Sequence, residues 1–186
     1  KVTGAKQPPE KVLKSHASSK NRDYDALYAR IIGSEKSIID LGAGVGGLTC
    51  EKIDKRYVAV EAARVLVDMM NRHFKNTGCD AAAYWEDLFE LDAVLEIVDR
   101  EKSPRTIWLF NVIDALEFFE RHSSKKLLTE LAERGKVVVG FMTASFSGRT
   151  PFRAKRFWLI NFIERNFNVL DDFELNGERF IVFKKR

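Results

Sequence analysis

Residues 38–47 read Ile-Ile-Asp-Leu-Gly-Ala-Gly-Val-Gly-Gly, a short apolar run that contains one acid and leads into alternating glycines. Short apolar runs are typical of buried strands, and a glycine-rich turn directly after one is typical of a nucleotide-binding strand-turn-helix unit. Glycine suits this turn because it adopts positive φ and brings no β-carbon into the space of a ligand lying against the backbone. We therefore predict that Asp40, Gly42, Ala43 and Gly44 contact a bound cofactor; capping of the turn is the alternative role of Asp40.

The chain on both sides of this turn alternates between strand and helix patterns. From about residue 36 onward, short β-branched runs alternate with longer segments of helical apolar spacing, which predicts a parallel sheet with helices on both faces. The predicted strands are 37–41, 57–61, 81–85, 106–112 and 136–142, and the predicted helices are 63–74, 93–101, 125–134 and 151–166. Asn176-Gly177 separates two last runs, 169–175 and 179–184, and predicts an antiparallel hairpin.

Length and composition predict one folded domain preceded by a short helical extension. The chain has 186 residues, of which 45% are hydrophobic and 31% charged, enough apolar material for a single core. Residues 1–33 are predicted to form the extension, with helices at 9–20 and 22–32, and residues 34–186 the α/β domain. Because we find no apolar run of roughly 18–20 residues and no signal-peptide pattern, we expect a cytoplasmic protein without membrane association.

Net charge and cysteine spacing do not by themselves indicate nucleic-acid binding or a metal site. The formal net charge of +4 comes from 31 basic and 27 acidic side chains and is too small to indicate nucleic-acid binding by itself. Residues 149–165 are locally basic, with five basic side chains against one acidic side chain. Cys50 and Cys79 stand far apart, with no Cys or His at metal-ligand spacing, so we expect reduced thiols and no metal site.

The acid before the glycines bears on the choice between two cofactor classes. Gly42, Gly44 and Gly47 also satisfy the G-x-G-x-x-G spacing of nicotinamide and flavin sites. Asp40 precedes the first glycine by two residues, where a carboxylate would repel a pyrophosphate but attract an ammonium or a sulfonium. Glu61 ends the next predicted strand, 21 residues after Asp40, where an acid accepts hydrogen bonds from the ribose hydroxyls of either cofactor.

This turn and its acid resemble the first motif of the S-adenosylmethionine-dependent methyltransferases. The resemblance implies that Asp40 accepts from the ammonium of the methionine moiety and that Asp87 contacts the adenine amino group. A helix N-cap is the alternative role of Asp87. The remaining expected cofactor contacts are Ala62, Leu88 and Asn111.

Five parallel strands closed by an antiparallel hairpin also resemble the class I methyltransferases, which have a Rossmann-like, seven-stranded, mostly parallel sheet. A plain dinucleotide fold lacks the hairpin.

A closer resemblance begins ahead of the predicted sheet. Residues 16–22, His-Ala-Ser-Ser-Lys-Asn-Arg, followed by Tyr24 and Tyr28, resemble the H-x-S-T-x-x-R stretch and the following tyrosine of one methyltransferase family. That family comprises the aminoglycoside-resistance 16S ribosomal RNA (guanine-N7) methyltransferases. Residues 109–117 and 138–149 are similar to its later motifs.

The family resemblance implies a substrate and two further cofactor contacts. The implied substrate is ribosomal RNA of the small ribosomal subunit, methylated at guanine N7. His16 and Arg22 would lie beside the cofactor, with Arg22 on the methionine carboxylate, and a salt bridge from Arg22 to Asp25 is the alternative. Gly140 and Met142 depart from the pattern, since they stand where the family has serine and proline.

The segment 145–158 mixes aromatic and basic side chains just after the fifth predicted strand. Substrates of such folds lie at that edge of the sheet, where guanidinium groups contact phosphates and an aromatic ring stacks on an unpaired base. The candidate substrate contacts are Phe146, Arg149, Phe152, Arg153 and Arg156. The alternative is that the aromatic rings belong to the core and the arginines to a solvated helix face. We expect Trp158 and Phe162 to be buried.

These features predict an S-adenosylmethionine-dependent methyltransferase of RNA. A methyltransferase of a small molecule or a protein side chain is one alternative, and a non-catalytic module that binds S-adenosylmethionine or RNA is another. We assign no catalytic residue, because guanine N7 carries no proton that a base must remove.

Overall fold

A computed structural model describes residues 22–143 and 156–186, which form a seven-stranded mixed sheet covered by helices. The strands are β1 (Ser37–Leu41), β2 (Arg56–Glu61), β3 (Ala81–Trp85), β4 (Arg105–Phe110), β5 (Lys136–Met142), β6 (Asn168–Leu175) and β7 (Glu178–Lys184). The helices are α1 (Tyr24–Ile31), α2 (Arg64–Thr77), α3 (Leu91–Arg100), α4 (Ile113–Phe119), α5 (Ser123–Arg134) and α6 (Phe157–Asn166), and a 3₁₀ helix spans Gly46–Lys52.

The strand order is β3-β2-β1-β4-β5-β7-β6. The first five strands are parallel, and β7 lies antiparallel between β5 and β6. This arrangement confirms the predicted α/β fold with its terminal hairpin. Because the five parallel strands run in one direction, the turns after β1, β2, β3 and β4 all lie at one edge of the sheet, here called the carboxyl edge.

The central strand β1 is buried at all five positions because helices cover both of its faces. Ile39 and Leu41 belong to the core cluster under α3, α4, α5 and α6. Ile38 belongs to the opposite cluster, under α1 and α2. Since side chains alternate along a strand, Asp40 lies on the same face as Ile38, close to the carboxyl edge.

The helices are short and amphipathic. In α1, Leu27, Tyr28 and Ile31 are buried at helical spacing, and Asp23 caps the helix by accepting a hydrogen bond from Ala26 N at 3.0 Å. Across residues 22–143 and 156–186, no helix combines the length and apolar character needed to cross a membrane.

Two predicted boundaries are wrong. The fourth strand was predicted to reach residue 112, but β4 ends at Phe110 because Asn111 adopts φ +60° and turns the chain out of the sheet. The helix predicted from residue 151 begins at Phe157. Residues 151–155 and the helix predicted at 9–20 lie outside the described residues.

The core positions of α6 also differ from the prediction. Trp158 and Phe162 were expected to be buried, yet both are only partly buried against the core. Leu159 and Ile163, which directly follow these two residues in the chain, are the residues of α6 that are fully buried. The stripe facing the sheet is therefore narrower and more aliphatic than expected.

The prediction of reduced thiols is wrong, because a disulfide joins Cys50 to Cys79 across 29 residues of sequence. Cys50 lies in the 3₁₀ helix that leads towards β2, and Cys79 lies just before β3. The parallel pairing of β2 with β3 brings these two approaches together at the edge opposite the carboxyl edge, here called the amino edge. Sequence spacing alone does not reveal this proximity.

Candidate functional site

The glycine turn after β1 combines one tightly packed glycine with one open glycine. Gly42 and Gly44 adopt φ +71° and +56°, as the sequence predicts. A β-carbon on Gly42 would overlap the side chain of Val112, whereas a β-carbon on Gly44 would have no protein atom within 4 Å. The fold itself therefore requires a small residue at position 42, while the space beside Gly44 is available to a ligand.

Asp40 is a buried acid beside this turn. Its Oδ2 accepts a hydrogen bond from the Tyr57 hydroxyl at 2.7 Å. The pKa of Asp40 is raised to about 6, because the effect of burial, helped by the charge of Glu61, outweighs the opposing effects of the Tyr57 hydrogen bond and the charge of Arg22. A cation next to Asp40 would stabilise its ionised form.

A small pocket opens at the carboxyl edge around the turn. Its lining residues are Arg22, Tyr24, Asp40, Gly42, Ala43, Gly44, Val45, Gly46 and Phe110. The pocket lies between β1 and β4, where the strand order reverses direction and where open α/β sheets bind ligands. The structure thus brings together five residues predicted from the sequence, Arg22, Asp40, Gly42, Ala43 and Gly44.

Arg22 is held at this pocket by Glu178, the first residue of β7. Its Nε and Nη2 donate to the two carboxylate oxygens of Glu178 at 2.7 Å each. Burial alone would lower the pKa of Arg22, but the hydrogen bonds and charge of Glu178 raise it above its ordinary value. The predicted alternative, a salt bridge to Asp25, is wrong, because Asp25 pairs with Lys52 at 2.6 Å.

Asn111 joins the ends of three strands at the same edge. Its Nδ2 donates to Glu178 at 2.7 Å, and its Oδ1 accepts from Met142 N at 3.2 Å. Glu178 therefore holds both Arg22 and Asn111, although sequence reasoning missed it. The available signal was an acid that directly follows the Asn-Gly turn and begins the strand that holds the apolar run 180–183, where it is buried.

Glu61 closes the other side of the turn. Its Oε2 accepts from Gly44 N and its Oε1 from Ala63 N, both at 2.9 Å. Each carboxylate oxygen retains a further lone pair that can accept from a hydroxyl group. Ala62 is exposed, and its carbonyl oxygen accepts from Trp85 Nε1 at 2.8 Å.

Asp87 follows β3 at the carboxyl edge and is exposed. Its Oδ1 accepts from Phe89 N at 3.1 Å, which forms a local turn. The predicted alternative role as a helix N-cap is wrong, because the N-cap of α3 is Glu90. Leu88 is partly buried against the core.

Of the predicted substrate contacts, only Arg156 lies among the described residues. Its Nε donates to Asp114 Oδ1 at 2.9 Å, its Nη2 contacts the second oxygen of Asp114, and its Nη1 donates to Met142 O. Arg156 is buried and anchors the end of the basic segment on the first turn of α4. Outside the described residues lie His16, Phe146, Arg149, Phe152 and Arg153. Across 22–143 and 156–186, no cluster of His, Cys, Asp and Glu could hold a metal ion.

The sheet order, the antiparallel β7 and the crevice between β1 and β4 define the fold of the class I S-adenosylmethionine-dependent methyltransferases, and solved structures of such enzymes match the chain. The TehB-like methyltransferase from Corynebacterium glutamicum superposes with a TM-score of 0.60 and 16% identity, over 95% of this chain and 95% of that chain.

Two 16S ribosomal RNA methyltransferases match with higher scores. RmtF, solved in complex with S-adenosyl-L-homocysteine, has a TM-score of 0.78 and 20% identity, over 98% of this chain and 70% of its own. ArmA has a TM-score of 0.70 and 14% identity, over 97% and 92%. No protein-family model and no curated protein sequence matches the chain. At these identities the similarity establishes the fold.

Proposed function

We propose that the chain is an S-adenosylmethionine-dependent methyltransferase that acts on RNA. The observation that carries the proposal is a buried carboxyl group, Asp40, next to a glycine turn whose open face at Gly44 can receive a ligand. Asp40 accepts its hydrogen bond from Tyr57 and forms no direct ion pair among the described residues, and a buried acid of this kind is costly, so a positively charged cofactor compensates for that cost. S-adenosylmethionine carries an ammonium and a sulfonium, whereas a pyrophosphate would be repelled.

Each cofactor group has a partner in the proposed site. Asp40 binds the ammonium, Arg22 the methionine carboxylate, Glu61 the ribose hydroxyls and Asp87 the adenine amino group. The other proposed contacts are His16, Gly42, Ala43, Gly44, Ala62, Leu88 and Asn111. When bound, the cofactor supplies an electrophilic methyl group whose bond to sulfur breaks as a nucleophile attacks.

The proposed substrate is ribosomal RNA, methylated at guanine N7 in the small subunit within the cytoplasm. Two observations support it: the structural similarity to RmtF and ArmA, which are named as 16S rRNA methyltransferases, and the basic and aromatic segment 145–158. Phe146, Arg149, Phe152 and Arg153 are the proposed substrate contacts. Guanine N7 is already nucleophilic, so the chain needs only to align it with the methyl group and exclude water.

The first test is cofactor choice. Calorimetry with S-adenosylmethionine, S-adenosylhomocysteine and NAD should show binding of the first two and none of the third. Binding of NAD alone would refute the methyltransferase proposal at its first step.

The second test is methyl transfer. Full-length protein is incubated under single-turnover conditions with S-adenosylmethionine labelled in its methyl group, and with total RNA, isolated small ribosomal subunits or an RNA-free cell extract. Label in ribosomal RNA, located at guanine N7 by mass spectrometry, is the expected result. Label only in the RNA-free extract would indicate a small-molecule or protein substrate. Cofactor binding without any transfer would indicate a non-catalytic module.

A further inference from the structure

The carboxyl-terminal end of α4 carries an exposed aromatic cluster, here called the Phe118 patch and made of Phe89, Phe118 and Phe119. The side chains of Phe118 and Phe119 are 83% and 75% exposed, and Phe89 is 38% exposed. The rings of Phe118 and Phe119 meet edge to face at 5.3 Å between centroids, and Phe119 meets Phe89 in the same way at 6.3 Å. The three rings form one continuous apolar surface.

These rings do not stabilise the core. The apolar contacts of α4 with the core come from Ile113 and Leu116, which are buried, whereas Phe118 and Phe119 are exposed. Large exposed aromatic clusters are uncommon on monomeric proteins and mark interaction sites. A role for Phe118 and Phe119 in binding therefore explains their presence better than a role in folding does.

The Phe118 patch is connected along the chain to the proposed adenine contact and, through α4, to the proposed substrate segment. Phe89 follows Asp87 by two residues, next to the proposed adenine contact. The first turn of α4 carries Asp114, which binds Arg156 at the end of the basic segment. Helix α4 thus carries Asp114, the partner of Arg156 in the proposed substrate segment, in its first turn, and it ends in Phe118 and Phe119.

The residues that follow Phe119 in the chain are mostly basic, whereas acids flank Phe89 and Glu117 precedes Phe118. Arg121 and Lys126 are exposed, and within the described part of the chain neither forms an ion pair. Glu120 is the one acid among residues 120–126, which also hold a third cation, Lys125. Exposed aromatic faces beside unpaired cations match single-stranded nucleic acid, because rings stack on bases while cations contact phosphates. A partner protein would more often bury its aromatic anchors away from unpaired charge.

We propose that the Phe118 patch binds the RNA substrate by stacking an unpaired base on Phe118 or Phe119, with Arg121 and Lys126 on the adjoining phosphates. This inference rests on the proposed function, since it names a second RNA contact of the same enzyme. It adds a preference for unpaired nucleotides near the target base.

The test uses a short single-stranded RNA with one 2-aminopurine, whose fluorescence reports stacking, and a fully paired duplex of the same length. The double variant Phe118→Ala, Phe119→Ala is compared with Phe118→Tyr, Phe119→Tyr and with Leu170→Ala, an exposed position on the edge strand β6. Alanine should weaken single-strand binding by about 5- to 150-fold, the equivalent of about 1–3 kcal/mol for one stacked base. Tyrosine and Leu170→Ala should leave it unchanged, as should every variant for the duplex.

Two outcomes would overturn the inference while leaving the proposed function intact. One is unchanged single-strand affinity in the alanine variant. The other is that wild-type protein self-associates in light scattering and the alanine variant does not, which would make the patch an interface between copies. The proposed function fails separately, if wild-type protein binds no S-adenosylmethionine or transfers no label to RNA, because the 2-aminopurine signal requires neither.

Discussion

The two edges of the sheet bury their charges to different extents. At the amino edge the pair of Arg56 with Asp80 is solvated, with side chains 28% and 74% exposed, and the pair of Lys136 with Glu35 is partly buried, with side chains 20% and 10% exposed. At the carboxyl edge the pair of Arg22 with Glu178 is 7% and 5% exposed, and the carboxyl group of Asp40 is buried nearby. Both edges hold acids and bases, and of these three pairs the most deeply buried, Arg22 with Glu178, lies at the carboxyl edge beside Asp40.

Burial determines how much stability is lost when one partner of an ion pair is replaced. A solvated pair contributes about 0–1 kcal/mol, because water stabilises each partner alone. A buried pair contributes little net stability, yet removing one partner leaves the other charge without compensation. A buried ion pair therefore contributes little to the stability of this fold, but a buried charge can recognise a charged ligand. Such a ligand would bind at the carboxyl edge.

The strongest test of this contrast is to remove one acid at each edge. Glu178→Gln removes the carboxylate that accepts two hydrogen bonds from the buried Arg22 guanidinium and should lower the free energy of unfolding by about 3–5 kcal/mol. Asp80→Asn in the exposed pair should lower it by about 0–1 kcal/mol. Urea denaturation of the two variants measures both values, and similar losses would contradict the contrast.

The same pair of variants tests the proposed role of Arg22. If Arg22 binds the methionine carboxylate, the cofactor supplies a new negative partner, and saturating S-adenosylmethionine should raise the melting temperature of Glu178→Gln more than that of wild type. Asp80→Asn should respond as wild type does. An equal or smaller increase in Glu178→Gln would place the carboxylate elsewhere.

The disulfide provides a test confined to the amino edge. Cys79→Ser opens the loop closed by Cys50 and Cys79 and should lower the free energy of unfolding by about 2–4 kcal/mol. Affinity for S-adenosylmethionine should not change, because the bond lies at the opposite edge from the pocket. Dithiothreitol should destabilise wild type to the same extent and leave Cys79→Ser unaffected. A loss of cofactor affinity in Cys79→Ser would show that the edges are coupled.

Two open glycines with similar backbone conformations provide a matched pair. Gly44 at the carboxyl edge has φ +56° and Gly78 at the amino edge has φ +73°, and neither would bring a β-carbon within 4 Å of another protein atom. Valine at either position strains the backbone by a similar amount. Only Gly44→Val places a side chain where the nucleoside would lie, so it alone should weaken S-adenosylmethionine binding, by about 100-fold or more in calorimetry.

Equal losses of affinity in Gly44→Val and Gly78→Val would mean that backbone strain, and not a clash with the ligand, explains the effect. Melting temperatures of the two variants provide the control, and they should fall by similar amounts.

Much of the sheet could be predicted from local pattern. Its parallel strands are buried on both faces, so runs such as 37–41 stand out as apolar, and the Asn176-Gly177 turn marks the hairpin. The positive φ of Gly42 and Gly44 was also predictable, because a turn after a buried strand that holds three alternating glycines requires them. Asp40 could be placed at the pocket by counting along the strand.

Contacts across the sheet could not be predicted in this way. Glu178 reaches Arg22 only because β7 inserts between β5 and β6 and brings its amino end to the carboxyl edge. The disulfide depends on the adjacency of β2 and β3, and the pairing of Arg156 with Asp114 depends on how α6 docks. Such contacts are set by packing between segments far apart in sequence, and no local periodicity encodes them.

The smallest expected effect concerns pH and the raised pKa of Asp40. With a pKa of about 6, Asp40 is mostly ionised at neutral pH and mostly protonated near pH 5. An ammonium binds the ionised form, so affinity for S-adenosylmethionine should fall by about tenfold between pH 7 and pH 5, the equivalent of about 1.4 kcal/mol. Calorimetry across this range should find a flat profile in Asp40→Asn.

The stability of the free protein should change with pH in the opposite direction. The pKa of Asp40 in the fold lies above its ordinary value of 3.8, so the folded state binds the proton more tightly than the unfolded state does. This contribution is fully present below about pH 4 and is lost as pH rises towards 6. Since Asp80 at the amino edge is exposed, Asp80→Asn should keep this trend and Asp40→Asn should remove it. If both variants kept it, the titrating group would not be Asp40.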